Sequence, residues 1–275
     1  IVGDRFFPAT IAVDDPLVTD ELMLPSLSLA YMPASDEGPE TRAIATGFEF
    51  NKVIVPKLAI GVSDDYVWLH PRHAPAAKGW DNLTLSLKYE VWRDEAHEAI
   101  ISVGLETEIG GTGSKSAGRA AFSTFTPTVY FGKGFGDLPD SLNMLKPLAL
   151  TGAFGLNFPG EAQEANSVEW GFSLEYSLPY LQQHVRDMKL PEPFKNMIPL
   201  VEFAFETPLN RGEHGFTTGT VNPGILWESR YFQVGVEAVI PINHASGTHL
   251  GAMVQFQIFI DDLLPHYFGH PIFGD

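Results

Sequence analysis

The chain has 275 residues, no cysteine and a formal net charge of −17. This excludes disulfide staples and thiolate metal sites and argues against nucleic acid as a partner. Only 19% of residues are charged and mean hydropathy is zero, odd for an acidic soluble protein but ordinary for a barrel with a polar inside and an apolar outside. No apolar run approaches the ~18–20 residues of a transmembrane helix, which leaves membrane crossing by strands open.

Residues 1–20 open on Ile1–Val2, without an initiator Met or an apolar leader, as expected of a mature N-terminus after signal-peptide removal. They show no sustained alternation and are expected to form a periplasmic or lumen-entry segment. From there to residue 261 the chain repeats one pattern. Residues 22–32 set Leu27, Leu29 and Tyr31 against Ser26, Ser28 and Ala30. Residues 41–53 set Ile44, Phe48 and Phe50 against Ala45, Gly47 and Glu49, and residues 57–69 carry Leu58, Ile60 and Val62 on one face. The pair Asp64–Asp65 breaks parity there and suggests a bulge. Strict alternation returns in 82–92 and 99–109, and 125–131 and 148–158 make the next pair of strands. Residues 167–178 alternate without a fault, Val168, Trp170, Phe172, Leu174 and Tyr176 against Glu169, Gly171, Ser173 and Glu175. Residues 179–197 are the one stretch suited to a short helix. Strands at 199–207 and 218–227 precede a final hairpin, 232–242 and 250–260, joined by a polar turn.

Side chains on a strand alternate faces, so each segment has one apolar and one polar face. The segments exceed the ~5–6 residues usual in globular proteins and suit the roughly 9–11 of a tilted transmembrane strand. The expected fold is all-β: a transmembrane antiparallel up-and-down β-barrel of about twelve strands. Residues 22–32 should pair with 249–260 to close it, since an open edge in lipid is costly. Short turns such as 53–56 and 228–230 should face the periplasm, together with both termini, and longer loops such as 110–121, 157–166 and 208–217 the exterior. Tyr31, Trp68 and Trp170 near one end and Tyr89, Tyr176 and Trp227 near the other suit interfacial girdles. A soluble β-sandwich would also alternate, but strand length and the crowding of aromatics on the apolar face argue for the barrel. Residues 262–275 are expected to be a C-terminal periplasmic tail.

Parity also names the candidate lumen lining. Glu49, Glu90, Glu106, Glu108, Glu169, Glu175, Glu202, Glu206 and Glu237 fall on the polar face, with Gln233, Gln255 and Gln257 and with Lys88 as the one clear base. Such a lumen favours cationic or neutral solutes over anions, as acidic rings do in cation-selective pores. The plainer alternative is that these carboxylates are solvated filling, bridged to Arg42, Arg119 or Lys133. A barrel of about twelve strands leaves a narrow passage, readily plugged by a loop or by the N-terminal segment.

Other constellations are weaker. His70, His73, His214, His244 and His249 map to the outer loops without the geometry of a metal site, so neither metal nor cofactor is expected. The stretch GKGFG at 132–136 lacks the spacing of a phosphate loop and reads as a strand end. Ser246 near His244 and His249 is the only hint of a hydrolase, and no enzyme activity is expected.

Several stretches resemble a known family: GKGFGDLPDSL at 132–142, GFSLEYSLPYLQQHV at 171–185, IPLVEFAFETPLNRG at 198–212, TTGTVNPGILW at 217–227, FQVGVEAVIPIN at 232–243 and FIDDLLPHYFGHPIF at 259–273. They are similar to proteobacterial outer-membrane transporters related to the barrels of the meta-cleavage pathway of phenol degradation. The resemblance covers over half of the chain; the first hundred residues share only the pattern. It implies a porin-like transport barrel in the outer membrane of a Gram-negative bacterium, and brings no catalytic residue. The expected function is a channel for small solutes, cationic or neutral and aromatic ones among them. Its surroundings would be outer-membrane lipid and lipopolysaccharide. The alternative is a structural or adaptor barrel that holds periplasmic or surface partners, with 179–197 and 262–275 as the stretches a periplasmic protein would meet.

Overall fold

The computed structural model describes residues 6–34, 38–211 and 215–274. Thirteen antiparallel strands form one sheet that closes on itself. They are β1 (Glu21–Met32), β2 (Thr41–Val55), β3 (Leu58–Pro71), β4 (Ala77–Trp80), β5 (Thr84–Asp94), β6 (Ala99–Glu108) and β7 (Thr124–Gly134). The sheet continues through β8 (Leu148–Pro159), β9 (Ser167–Tyr176), β10 (Met197–Pro208), β11 (Thr218–Glu228), β12 (Phe232–Pro241) and β13 (Gly251–Phe259). Twelve of them are the staves of the wall, and the four-residue β4 is an addition to the outer half of β3. Closure is made by β1 on β13, with Leu22 opposite Ile258 and Leu27 opposite Val254.

The wall sorts its residues by parity. Leu85, Leu87, Val103, Leu105, Leu174 and Val236 stand exposed on the outside, where Phe172 also stacks on Phe203 with ring centroids 4.5 Å apart. Ser102, Thr151, Ser173, Glu202 and Gln257 are buried on the inside. An exposed apolar band around a closed sheet is a lipid-facing surface, since closure leaves no backbone edge unpaired.

Local geometry departs from strict alternation in three places. Register shifts occur between Met23 and Ser26, between Val53 and Val55, and between Glu90 and Trp92. The third turns both Val91 and Trp92 outward while Glu90 stays buried inside. No bulge occurs at Asp64–Asp65, where the pairing of β2 with β3 runs unbroken through Phe48↔Asp64 and Gly47↔Asp65. Instead β3 changes partner there: Ser63 pairs with Thr84 of β5, and Tyr66 with Trp80 of β4. The two acids sit at that fork.

Loop lengths are less asymmetric than expected. Residues 56–57, 95–98 and 229–231 turn tightly at the rim that holds the start of β1 and the end of β13; 177–196 is long, the exception that residues 179–197 mark in the sequence, and 135–147 is long as well. The first of these long connections carries helix α1 (Leu178–Tyr180), which runs on through Val185 and is capped by the Ser177 hydroxyl accepting the Tyr180 N–H at 3.1 Å. After β13, helix α2 (Ile260–Leu263) turns the chain back along this inner rim.

Candidate functional site

The lumen is occupied in its inner half by the chain's own N-terminal segment. From Phe6 the segment rises off the inner rim to a tip at residues 12–14 and returns to the rim at Asp20, with Phe7, Val13 and Leu17 buried. Backbone groups enclosed in this way must find partners, and the wall supplies them. Glu202 accepts the N–H groups of Ile11 at 2.8 Å, Ala12 at 2.5 Å and Val13 at 2.8 Å. Gln233 donates to the Ala9 carbonyl at 2.6 Å and Ser102 to that of Pro16 at 2.6 Å. Lys88 donates to the Asp15 carbonyl at 2.9 Å and pairs with Asp14 at 3.1 Å. Space comes from wall glycines. A Cβ on Gly132 would stand 2.6 Å from the Phe7 ring, and one on Gly235 would stand 2.4 Å from Ile11.

The outer half of the lumen is hollow. One cavity of about 540 Å³ lies between the segment's tip and the inner faces of β6 to β11. Asp14, Glu106, Glu169 and Glu206 line it, with hydroxyls from Thr126, Thr128, Tyr130, Thr218 and Ser246. A second, of about 580 Å³, lies on the side of β13 and β1 to β6 and is lined by Glu49, Asp64, Asp65, Asp81 and Glu108. Among the described residues the only base lining either cavity is Arg119, bonded to Asp81 at 2.9 Å.

The residues singled out from parity therefore fall into three groups, with Glu90 apart from them. Glu106, Glu169 and Glu206 come together in the first cavity, held by the Tyr130 hydroxyl at 3.3 Å, the Asn157 amide at 2.6 Å and the Ser167 hydroxyl at 2.7 Å respectively. Glu49, Glu108 and Gln255 face the second. Asn51 donates to Glu49 at 2.7 Å and Asn82 to Glu108 at 2.7 Å. Glu175, Glu202, Gln233, Glu237 and Gln257 are buried in the filled inner half, where Thr151 donates to Glu175 at 3.0 Å. Glu90 belongs to neither cavity. It pairs at the inner rim with Arg93 at 2.6 Å and Lys57 at 3.5 Å.

Alternation did not single out Asp14, Asp64, Asp65, Asp81 or Arg119. Asp14 lies in a segment without periodicity, Asp81 and Arg119 lie in loops beyond the strand ends, and Asp64 and Asp65 lie in mid-strand where β3 changes partner. Arg119 and Lys133 do not reach the buried glutamates: Lys133 donates to the His97 and Gly134 carbonyls and to Asp137. His70, His73, His244 and His249 lie at the outer end, and His214 falls outside the described residues. No group of three or more His, Asp or Glu side chains is arranged to hold a metal among the described residues. The Ser246 hydroxyl donates to Asn243 at 2.8 Å and accepts the Gly219 N–H at 2.8 Å, which makes it a loop tie.

No protein-family model matches the sequence, and comparison with curated proteins finds no match. Solved structures do match. An outer-membrane channel from Pseudomonas putida F1 superposes with a TM-score of 0.57 at 10% identity, over 92% of this chain and 99% of that one. The NanC porin follows with a TM-score of 0.50 at 8% identity, over 86% and 98%. At such identities the likeness is one of architecture: the chain has the closed twelve-strand fold of outer-membrane channel barrels.

Proposed function

We propose that the protein is a channel of a bacterial outer membrane that admits small cationic or neutral solutes through an acidic outer vestibule. The observation that carries this is the lining of the two outer cavities, four carboxylates in one, of which Asp14 is paired with Lys88, and five in the other, against a single lining arginine already paired. Fixed negative charge in a confined, low-dielectric mouth concentrates cations and repels anions. Each cavity is of the size that holds a small molecule rather than a polymer. The architecture shared with outer-membrane channels supports the setting. The resemblance of residues 132–142 and 217–227 to transporters related to the phenol meta-cleavage pathway is what brings aromatic solutes into the reading.

Conduction requires a path past the N-terminal segment. Its many ties to the wall favour a second reading, a structural or adaptor barrel with a permanently closed lumen. Planar-bilayer recording separates the two. A channel of this kind gives a reversal potential, across a potassium chloride gradient, of the sign for potassium over chloride, and the preference falls in the triple variant Glu106→Gln, Glu169→Gln, Glu206→Gln. Chloride preference, or an unchanged potential in the triple variant, refutes the acidic-vestibule reading. Absence of conductance in correctly inserted protein favours the adaptor.

A further inference from the structure

We propose that the C-terminal tail, residues 264–274, is an interfacial lipid anchor clamped to the outer face of the barrel at its inner rim. The proposal goes beyond the channel reading and depends only on the wall facing lipid. It begins with parity. Lys52 of β2 lies directly opposite Ile60 of β3, and directly opposed residues share a face. Ile60 is exposed on the outside, so Lys52 also leaves the wall outward. There its ammonium meets Asp20 at 2.8 Å and the carbonyls of Phe268 and His270, each at 2.8 Å.

An ion pair on the outer face of a membrane barrel would be poorly placed against lipid, yet the side chains of Lys52 and Asp20 are only 12% and 3% exposed. The tail lies over them. It is pinned further by the N–H of Ile272 on the Val53 carbonyl at 3.3 Å and that of Phe273 on the Ile54 carbonyl at 2.8 Å. With these backbone groups turned inward, the apolar side chains turn out: Tyr267 is 79% exposed, Phe268 62%, Ile272 51% and Phe273 63%. On the next stave Ile60 is exposed opposite Lys52, and on the stave beyond Tyr89 is exposed opposite Leu58, so the apolar band reaches this part of the inner rim and the tail extends it. Aromatic side chains at the edge of such a band, with lysine and carbonyl groups beside them, suit the headgroup level of a bilayer. Continuity with the lipid-facing band is what selects lipid over a protein partner as the occupant.

The test uses the chain's lack of cysteine. A nitroxide label is placed singly at Phe268→Cys or Ile272→Cys, with Leu87→Cys in the apolar band and Glu161→Cys in an outer loop as references. The protein is reconstituted in phosphatidylethanolamine–phosphatidylglycerol vesicles, and only preparations with folded mobility on unheated gels are used. A lipid anchor gives tail labels that collide with oxygen more than with a water-soluble nickel chelate, as at 87 and opposite to 161. Nickel-dominated collision would place the tail in water, and low collision with both would place it under protein. Either result overturns the proposal. Adding Lys52→Met should release the clamp and shift the label at 268 toward nickel; no shift in a folded barrel overturns the role of Lys52.

Discussion

Gly235 of β12 and Ile11 of the internal segment compete for one space: a Cβ at position 235 would stand 2.4 Å from the Ile11 Cδ1 and 2.7 Å from a Leu226 methyl. The contact explains a glycine in the middle of a strand, where it otherwise weakens pairing and packing. Gly235→Val should therefore overpack the inner lumen, at a cost of about 1–3 kcal/mol. Ile11→Ala in the same chain should recover much of that loss, because contacting sites are not additive. Urea midpoints read from folded gel mobility check this. Equal midpoints for the single and double variants would show that the side chains do not compete.

The contact also shows where sequence reasoning runs out. Period-two alternation makes strands such as β9 legible, because Phe172 and Leu174 must face lipid while Ser173 and Glu175 must not. Nothing comparable marks the segment around Ile11. Its backbone is satisfied by Glu202, Gln233, Lys88 and Ser102, distant residues on four different strands, so no local period arises. The acidic vestibule was half legible. Glu106, Glu169 and Glu206 follow from parity, whereas Asp64 and Asp65 needed the change of strand partner that the structure reveals. Gly132 and Gly235 were visible as strand glycines, but not as sockets.

The sorting of inside from outside has a direct consequence. Val236 stands exposed in the apolar band, so Val236→Arg should cost about 2–4 kcal/mol near the bilayer midplane and lower the folded fraction in vesicles. Inside, tolerance depends on free volume. Ser173 is fully buried and Gly235 faces Ile11, so neither accommodates Arg. Ala204 lines the hollow cavity, and Ala204→Arg should assemble nearly as well as the parent protein. Comparable damage at 204 and 236 would contradict the wall assignment.

At the outer rim, Glu40 gathers three loops. It accepts the Thr248 hydroxyl at 2.7 Å, pairs with Arg72 at 3.3 Å and lies 3.6 Å from a His249 ring nitrogen. The Thr248 hydrogen bond above all, with Arg72 and the nearby His249, lowers the Glu40 pKa. A lowered folded-state value means that this tie is fully present above the ordinary carboxylate range and is lost as pH falls through the lowered value. Protection factors of residues 242–250, taken against the intrinsic exchange rate at each pH, should therefore fall as pH drops through the lowered Glu40 value. Glu40→Gln should show lower protection already at neutral pH and little further change. Identical pH profiles for the two proteins would remove Glu40 from the rim.

Arg119 offers a prediction of opposite sign to the glutamate substitutions. It is the only base among the described residues lining either cavity, and its guanidinium partly neutralises Asp81 and the neighbouring Asp65. Arg119→Gln removes that positive charge while keeping a polar side chain at the mouth. If vestibule charge sets ion preference, potassium selectivity should rise in this variant, as it falls when Glu106, Glu169 and Glu206 become Gln. Both effects should shrink in molar salt, where the screening length drops from about 8 Å at physiological ionic strength to about 3 Å and a charge on the wall no longer reaches across the cavity. Reversal potentials at low and high salt, for the parent and both variants, supply the measurement. A shift of the same sign in both variants would show that the substitutions act through the shape of the lumen rather than through its charge.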